Sequence, residues 1–210
     1  MEVSELVCNG HIGELDETER QARIQKIALH LDAILRIANI EINHNTDNTP
    51  LRWAKMFMND ILEGRFMPEP EITDFVNDRE YDQMIVQGPI EFTSTCAHHL
   101  LPFWGVAYIG LLPSIENGKI IGLSKYVRIV DFFSRRMQLQ EDLTAQIADF
   151  IEEKLEPHGV GVQIIASHSC MKCRGVRRDA RTLTTVLRGV LKEDGTAREE
   201  FLSSCRALGE

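Results

Sequence analysis

Apolar residues recur at helical spacing through the first third of the chain and at strand spacing beyond it. Between residues 17 and 43, Ile24, Ile27, Leu31, Ile34, Leu35 and Ala38 fall mostly three or four apart with charged residues between them, which predicts one long amphipathic helix. The polar stretch HNTDNTP breaks that period. Thr49 then offers an N-cap and Pro50 a first helical position for a second helix, LRWAKMFMNDILEG, ending at Gly64. Residues 65–82 carry two prolines and many acids without a period, and they read as loop.

Beyond residue 83 the period shortens to two. PIEFTST places Ile90 and Phe92 on one face and Glu91 and Thr93 on the other, and PFWGVAYIGLLP is a longer, largely buried strand. A turn at ENGK leads into a helix, SKYVRIVDFFSRR, with Ser124 as its expected cap. Another helix is expected from about 139 to 155, with Leu143, Ile147, Phe150, Ile151 and Leu155 inward, stopped by Pro157-His158-Gly159. GVQIIASH and RTLTTVLRGVL follow as strands, the second rich in β-branched residues. A last helix is expected to open with a capping box, Thr196 and Glu199. The order predicts an α+β protein: a helical region over residues 1–82, then a domain over 83–210 in which helices cover one face of a sheet.

Composition narrows the partners. With 43% hydrophobic and 26% charged residues, the 210-residue chain is an ordinary globular one. No apolar run approaches the about 18 residues of a membrane span. The start, MEVSELVCNGHIGELDE, is acidic and lacks an apolar core, so a cytosolic protein without a secretory leader is expected. The 23 Lys+Arg against 32 Asp+Glu give a net charge of -9, which repels polyanions and argues against nucleic-acid binding. A local basic pocket for a small phosphorylated ligand is still compatible with that field. The five cysteines, Cys8, Cys96, Cys170, Cys173 and Cys205, are odd in number and irregularly spaced, a pattern of free thiols and metal ligands rather than of disulfides.

Chemistry concentrates in three places. Cys96-Ala97-His98-His99 sets a thiol and an imidazole three positions apart, and zinc favours such mixed sulfur and nitrogen ligation. His168-Ser169-Cys170-Met171-Lys172-Cys173 is the second cluster, and both sit at the ends of expected strands. Two ligands from the first and one from the second would leave a fourth position open, as a catalytic zinc site requires. Taken alone, Cys170-x-x-Cys173 fits a redox dithiol, half a zinc knuckle or two buried thiols, the last being favoured without the first cluster, and His98 and His99 fit hydrogen-bonded residues at a strand end. The third group is basic. Lys125 and Arg128 share a face at a helix start beside Ser124; Arg52 and Lys55 repeat that spacing; Arg174, Arg177 and Arg178 follow the second cluster. Any one such pair is more often solvated surface charge. Glu141, next to Gln140 at a helix start, by itself only complements the helix dipole.

These residues lie in longer stretches, LRWAKMF, STCAHHLLPFWG, IGLSKYVRIVDFFSRR, QLQEDLTAQIADF, HSCMKCRGVR and TAREEFL, whose order resembles the GTP cyclohydrolase I family over most of residues 17–205. The resemblance implies a tunnelling fold (T-fold) and a homodecamer of two face-to-face pentamers, with active sites between subunits. It also implies hydrolytic opening of the GTP imidazole ring, loss of C8 as formate, and rearrangement to 7,8-dihydroneopterin triphosphate. By the same resemblance Cys96, His99 and Cys170 match zinc ligands, and His98 and His168 match catalytic histidines. Glu141 matches the carboxylate that grips the guanine edge, with Gln140 counted among the substrate-binding residues. Arg52, Lys55, Ser124, Lys125, Arg128 and Arg174 match residues that hold the triphosphate or line its pocket.

One position departs from the family pattern: Ala97 stands where its members usually carry glutamate between the cysteine and the two histidines. The missing carboxylate is not a matched ligand, but changes around a metal can shift its affinity or the rate. Two alternatives stay open on these grounds. One is another T-fold enzyme, such as a deazaguanine nitrile reductase with a cysteine nucleophile; the other is a non-catalytic zinc- or nucleotide-binding regulator.

Overall fold

The computed structural model describes residues 10–72, 74–78, 80–114 and 118–209, so Cys8 and the Glu116-Asn117 part of the expected ENGK turn lie outside the described residues. The chain divides after Pro68 into two units.

The helical unit opens with α1, Glu17–Ile37, capped by Asp16, whose carboxylate accepts the Glu19 N–H at 2.7 Å. The helix ends six residues short of position 43, because Asn39 takes a left-handed conformation and Asn43 and Thr46 bind one another's backbone in the following turn. Helix α2, Thr49–Met56, runs into a π-helical turn, Phe57–Ile61, and a short α3, Glu63–Phe66. Thr49 lies inside α2; Asn48 occupies the cap, without a side-chain hydrogen bond. The unit's core is small: Ile24, Ala28, Ala54, Met58 and Phe66, flanked by Leu15, Ile27, Leu51 and Leu62. The outer half of the expected stripe is not part of it. Ile34 is 58% and Ile37 85% exposed, while Leu31 and Leu35 are half-buried.

In the sheet unit, β1, Asp74–Val76, pairs antiparallel with β4, Lys119–Ile121, inside a stretch expected to be loop. Three residues of acidic sequence give no period from which a strand can be read. The main sheet has the order β5-β2-β3-β6-β7: β2 is Ile85–Cys96, β3 Pro102–Leu112, β5 Met137–Gln138, β6 Gly159–His168 and β7 Arg181–Gly189. All pairings are antiparallel except the two-residue β5, which runs parallel to the end of β2.

Helices α4, Leu123–Ser134, and α5, Gln140–Leu155, cover one face, burying Phe103, Ala107, Ile109, Ile164 and Ala166 with Leu143, Ile147 and Ile151. The opposite face carries α8, Gly195–Gly209, whose Phe201 is fully buried with Tyr108, Leu191 and Cys205; the short α7, Val190–Glu193, leads into it. Glycine is required beneath that ring: a Cβ at Gly110 or Gly161 would lie 2.5 or 2.8 Å from it. The α+β architecture is the expected one, with helices on both faces instead of one. Two caps differ from expectation. Gly122, not Ser124, is the N-cap of α4, and Asp194 receives the Thr196 N–H at the start of α8 while Glu199 pairs with Arg206 at 2.6 Å.

Candidate active site

Strand register alone brings the two chemical clusters to one end of the sheet. Ser94 on β2 pairs with Phe103 on β3, and Phe103 pairs in turn with His168 on β6. Directly paired residues point to the same face, and so do residues two apart, so Cys96 and His168 share the face under α4 and α5.

Residues 97–101 turn the chain tightly from β2 into β3. The Cys96 carbonyl accepts the Leu100 N–H at 3.0 Å, the Cys96 N–H binds the Leu101 carbonyl at 2.9 Å, and Leu100 takes a left-handed conformation. Ala97 N–H binds the Gln138 carbonyl at 3.2 Å, tying the turn to β5. This folding sets Cys96 Sγ 3.7 Å from His99 Nδ1. One ligand atom each from Cys96, His98 and His99 lies within 4.8 Å of the other two, with Cys96 buried and both imidazoles exposed. The His98 and His99 rings meet edge to face at 6.0 Å.

Immediately after His168 comes α6, Ser169–Lys172, and it carries Cys170. Cys96 raises the pKa of the Cys170 thiol, so two segments 74 positions apart in sequence come within electrostatic reach of one another. Burial pushes the Cys170 thiol up from its ordinary value, and the neighbouring Cys96 sulfur adds to that; the Arg174 guanidinium opposes it. A thiol raised in this way keeps its proton unless a cation takes up the charge. The spacing fits one. Tetrahedral zinc with ordinary bond lengths separates a sulfur and a nitrogen ligand by about 3.6 Å. Cys96, His98 and His99 therefore form a donor group that could hold a metal ion, whereas Cys170 stands outside that group. Cys173 is exposed and free.

His168 is held on two sides. The Phe103 ring stacks on it at 4.6 Å and 5° from parallel, and His168 Nε2 lies 2.8 Å from Gln140 Oε1. Burial pushes the imidazole below its ordinary value, while the Glu141 carboxylate, exposed in the first turn of α5, opposes that shift. Gln140 itself is 2% exposed.

The remaining candidates lie on other elements. Ser124 and Arg128 are exposed on α4, and Lys125 Nζ donates to the Glu71 carbonyl at 2.7 Å. Arg174 is exposed beyond α6, next to Cys170. Arg52 and Lys55 are exposed one turn apart on α2, in the helical unit. Sequence reasoning missed Phe103 as part of the site. In sequence it is one more apolar strand residue, and only its pairing with position 168 reveals its role as a stacking surface.

Fold and cluster together define a class: an α+β protein with a thiol–imidazole cluster suited to a metal ion at the end of its central strands. The family model for GTP cyclohydrolase I matches residues 27–206. GTP cyclohydrolase 1 of Streptomyces coelicolor is 39% identical over 191 residues, covering 90% of this chain and 91% of the relative. That of Bacillus cytotoxicus is 45% identical over 157 residues, 74% of this chain and 82% of the relative. The Brevibacillus brevis protein of the same name is 41% identical over 160 residues, 76% and 84% of the two chains. The archaeosine synthase QueF-Like in its apo form aligns with a TM-score of 0.34 at 13% identity, over 49% of this chain and 90% of that one. The chain belongs to the GTP cyclohydrolase I family and is an enzyme of that family. Among the described residues no helix is long and apolar enough to cross a membrane.

Proposed function

We propose that this enzyme hydrolyses GTP to 7,8-dihydroneopterin triphosphate with release of formate, using zinc held by Cys96, His99 and Cys170. The observation that carries the proposal is the grouping of Cys96, His98 and His99 at the end of the sheet where His168 lies on the same face and leads directly into Cys170. A zinc ion bound there supplies Lewis acidity, lowering the pKa of a water toward neutrality so that it can attack C8 of the base.

The protein's own groups account for the rest. His168 takes a proton from the attacking water on the ring nitrogen that faces substrate and passes it to the nitrogen that departs from C8, a role suited to a group whose ordinary pKa lies near neutrality. His98, flanking the ligands in the exposed turn, is the second proton carrier. Glu141 can accept two N–H donors from the guanine edge, a pattern that adenine does not present. Ser124, Lys125, Arg128 and Arg174 hold the triphosphate, joined by Arg52 and Lys55, and so fix C8 in place. Lys125 can bind phosphate and keep its bond to the Glu71 carbonyl, because an ammonium has three N–H donors. The chain works in the cytosol as a homodecamer of two pentamers.

The test is product analysis by mass spectrometry after incubating metal-analysed protein with GTP. Formate and a pterin triphosphate, in proportion to zinc content, are expected. Tight GTP binding without turnover in zinc-replete protein, or turnover of a different purine nucleotide only, would overturn the assignment.

A further inference from the structure

Gln140 begins α5 and is almost wholly buried, yet it carries three polar contacts from one nitrogen. Its Nε2 reaches the carbonyl oxygens of Ile164 at 3.2 Å and Thr182 at 3.0 Å, and the Thr184 hydroxyl at 3.1 Å. Two of those three partners can only accept. Turning the amide over would set Oε1 against two carbonyl oxygens in a buried site, which is strongly unfavourable. The surrounding hydroxyls close the same network. Thr144 donates to the Gln140 carbonyl at 2.7 Å, so Thr184, 2.6 Å away, donates to Thr144 and accepts from Gln140.

The orientation of the amide decides the state of the histidine. Oε1 can only accept, and it lies 2.8 Å from His168 Nε2. That ring nitrogen must therefore carry the proton. Phe103, stacked 5° from parallel, fixes the plane of the ring, and the Gln140 bond fixes which edge faces the protein.

We propose that Gln140 is a positioning residue, which holds His168 as the Nε2–H tautomer and leaves Nδ1 as the ring nitrogen that faces substrate. Its side chain has no polar atom left over for GTP, so it acts through His168 and not as a substrate ligand. The chemical consequence rests on the GTP-hydrolase reading above; the tautomer does not.

Magic-angle-spinning NMR of the zinc-loaded protein with ¹⁵N-labelled histidine tests the tautomer directly, with His168→Phe identifying the resonance. At a pH where the ring is neutral, a protonated Nε2 and a lone-pair Nδ1 are expected in the wild type. Gln140→Met should yield a mixture of tautomers, together with a fall in kcat on the order of 100-fold and a KM for GTP within about twofold. A wild-type His168 protonated at Nδ1 overturns the proposal. So does a raised KM with unchanged kcat in the variant, the mark of a substrate ligand. Should Gln140→Met fail to fold, the wild-type spectrum decides alone. An Nε2–H spectrum in a protein that does not turn over GTP would sink the functional reading and leave the tautomer assignment standing.

Discussion

The helical unit and the sheet unit use apolar residues in opposite ways. In the helical unit a 21-residue helix buries only Ile24 and Ala28 fully, while Leu29, Ile34 and Ile37 face outward. In the sheet unit the β3 and β6 residues under α5 are fully buried, and so are Leu143, Ile147, Ile151 and Leu155 on that helix. The second buries continuous faces of its strands and helices, while the first leaves the outer turns of its long helix exposed. The chemistry follows the same division. Cys96, Cys170, His98, His99, His168 and Gln140 all belong to the sheet unit, so the site's geometry is set by register and core. A reaction that needs donor atoms placed to within a few tenths of an ångström favours that foundation over surface loops.

The largest expected effect tests whether the cluster is one site. Cys170→Ala should abolish stoichiometric zinc and lower GTP turnover on the order of 1,000-fold, while Cys173→Ala, at the exposed neighbouring thiol, should change neither. Metal analysis and initial rates on the same preparations decide it. Equal losses in both variants would mean that the two thiols act together as a dithiol, and the comparison between a packed and an exposed position would fail.

The second effect contrasts the two units in stability. Phe201 fills the space left by Gly110 and Gly161, so Phe201→Ala should cost about 3–5 kcal/mol in urea unfolding. Ile37 is 85% exposed, and Ile37→Ser should change the stability of a single chain by less than about 0.5 kcal/mol. Its effect should fall on assembly instead, as a shift toward smaller species in sedimentation. A large unfolding penalty at Ile37 with unchanged assembly would show that its cover comes from this chain.

Much of this organisation is legible in the sequence, for reasons that also mark its limits. Period-two and helical patterns locate β2, β3, β6, α4 and α5 because each buries a continuous face. Cys96, His99, Cys170 and His168 stand out because few other reasons collect thiols and imidazoles at strand ends. The role of Gln140 is not legible. A glutamine at a helix start signals nothing until the register of β6 and β7 sets Ile164, Thr182 and Thr184 around it. Ile34 illustrates the converse failure: the helical period is real, but periodicity does not say how far along the helix its apolar face is covered. The caps at Gly122 and Asp194 escaped because Ser124 and Thr196 are good capping residues lying one or two positions inside the helix.

The smallest expected effect concerns a hydroxyl in the sheet unit that the packing does not serve. Tyr126 is 1% exposed on α4, and its OH has no hydrogen-bond partner among the described residues. Burial pushes the phenol up to about 12. Removing an unpaired buried hydroxyl should be neutral or stabilising at pH 7, by up to about 1 kcal/mol. The alkaline limb separates this from ordinary packing. Below pH 10 neither folded nor unfolded tyrosine is ionised. Between 10 and 12 the unfolded phenol loses its proton while the folded one keeps it, so the wild type loses stability as pH rises, by at most about 1.4 kcal/mol per pH unit. Cys205, whose thiol burial also raises to about 12, contributes a similar decline in both proteins and cancels in the difference. Tyr126→Phe should therefore gain on the wild type between pH 10 and pH 11 in urea midpoints. If the variant instead loses more than about 1 kcal/mol at pH 7 and only when assembled, the hydroxyl is satisfied by a neighbouring subunit. The sheet unit would then owe part of its packing to a partner.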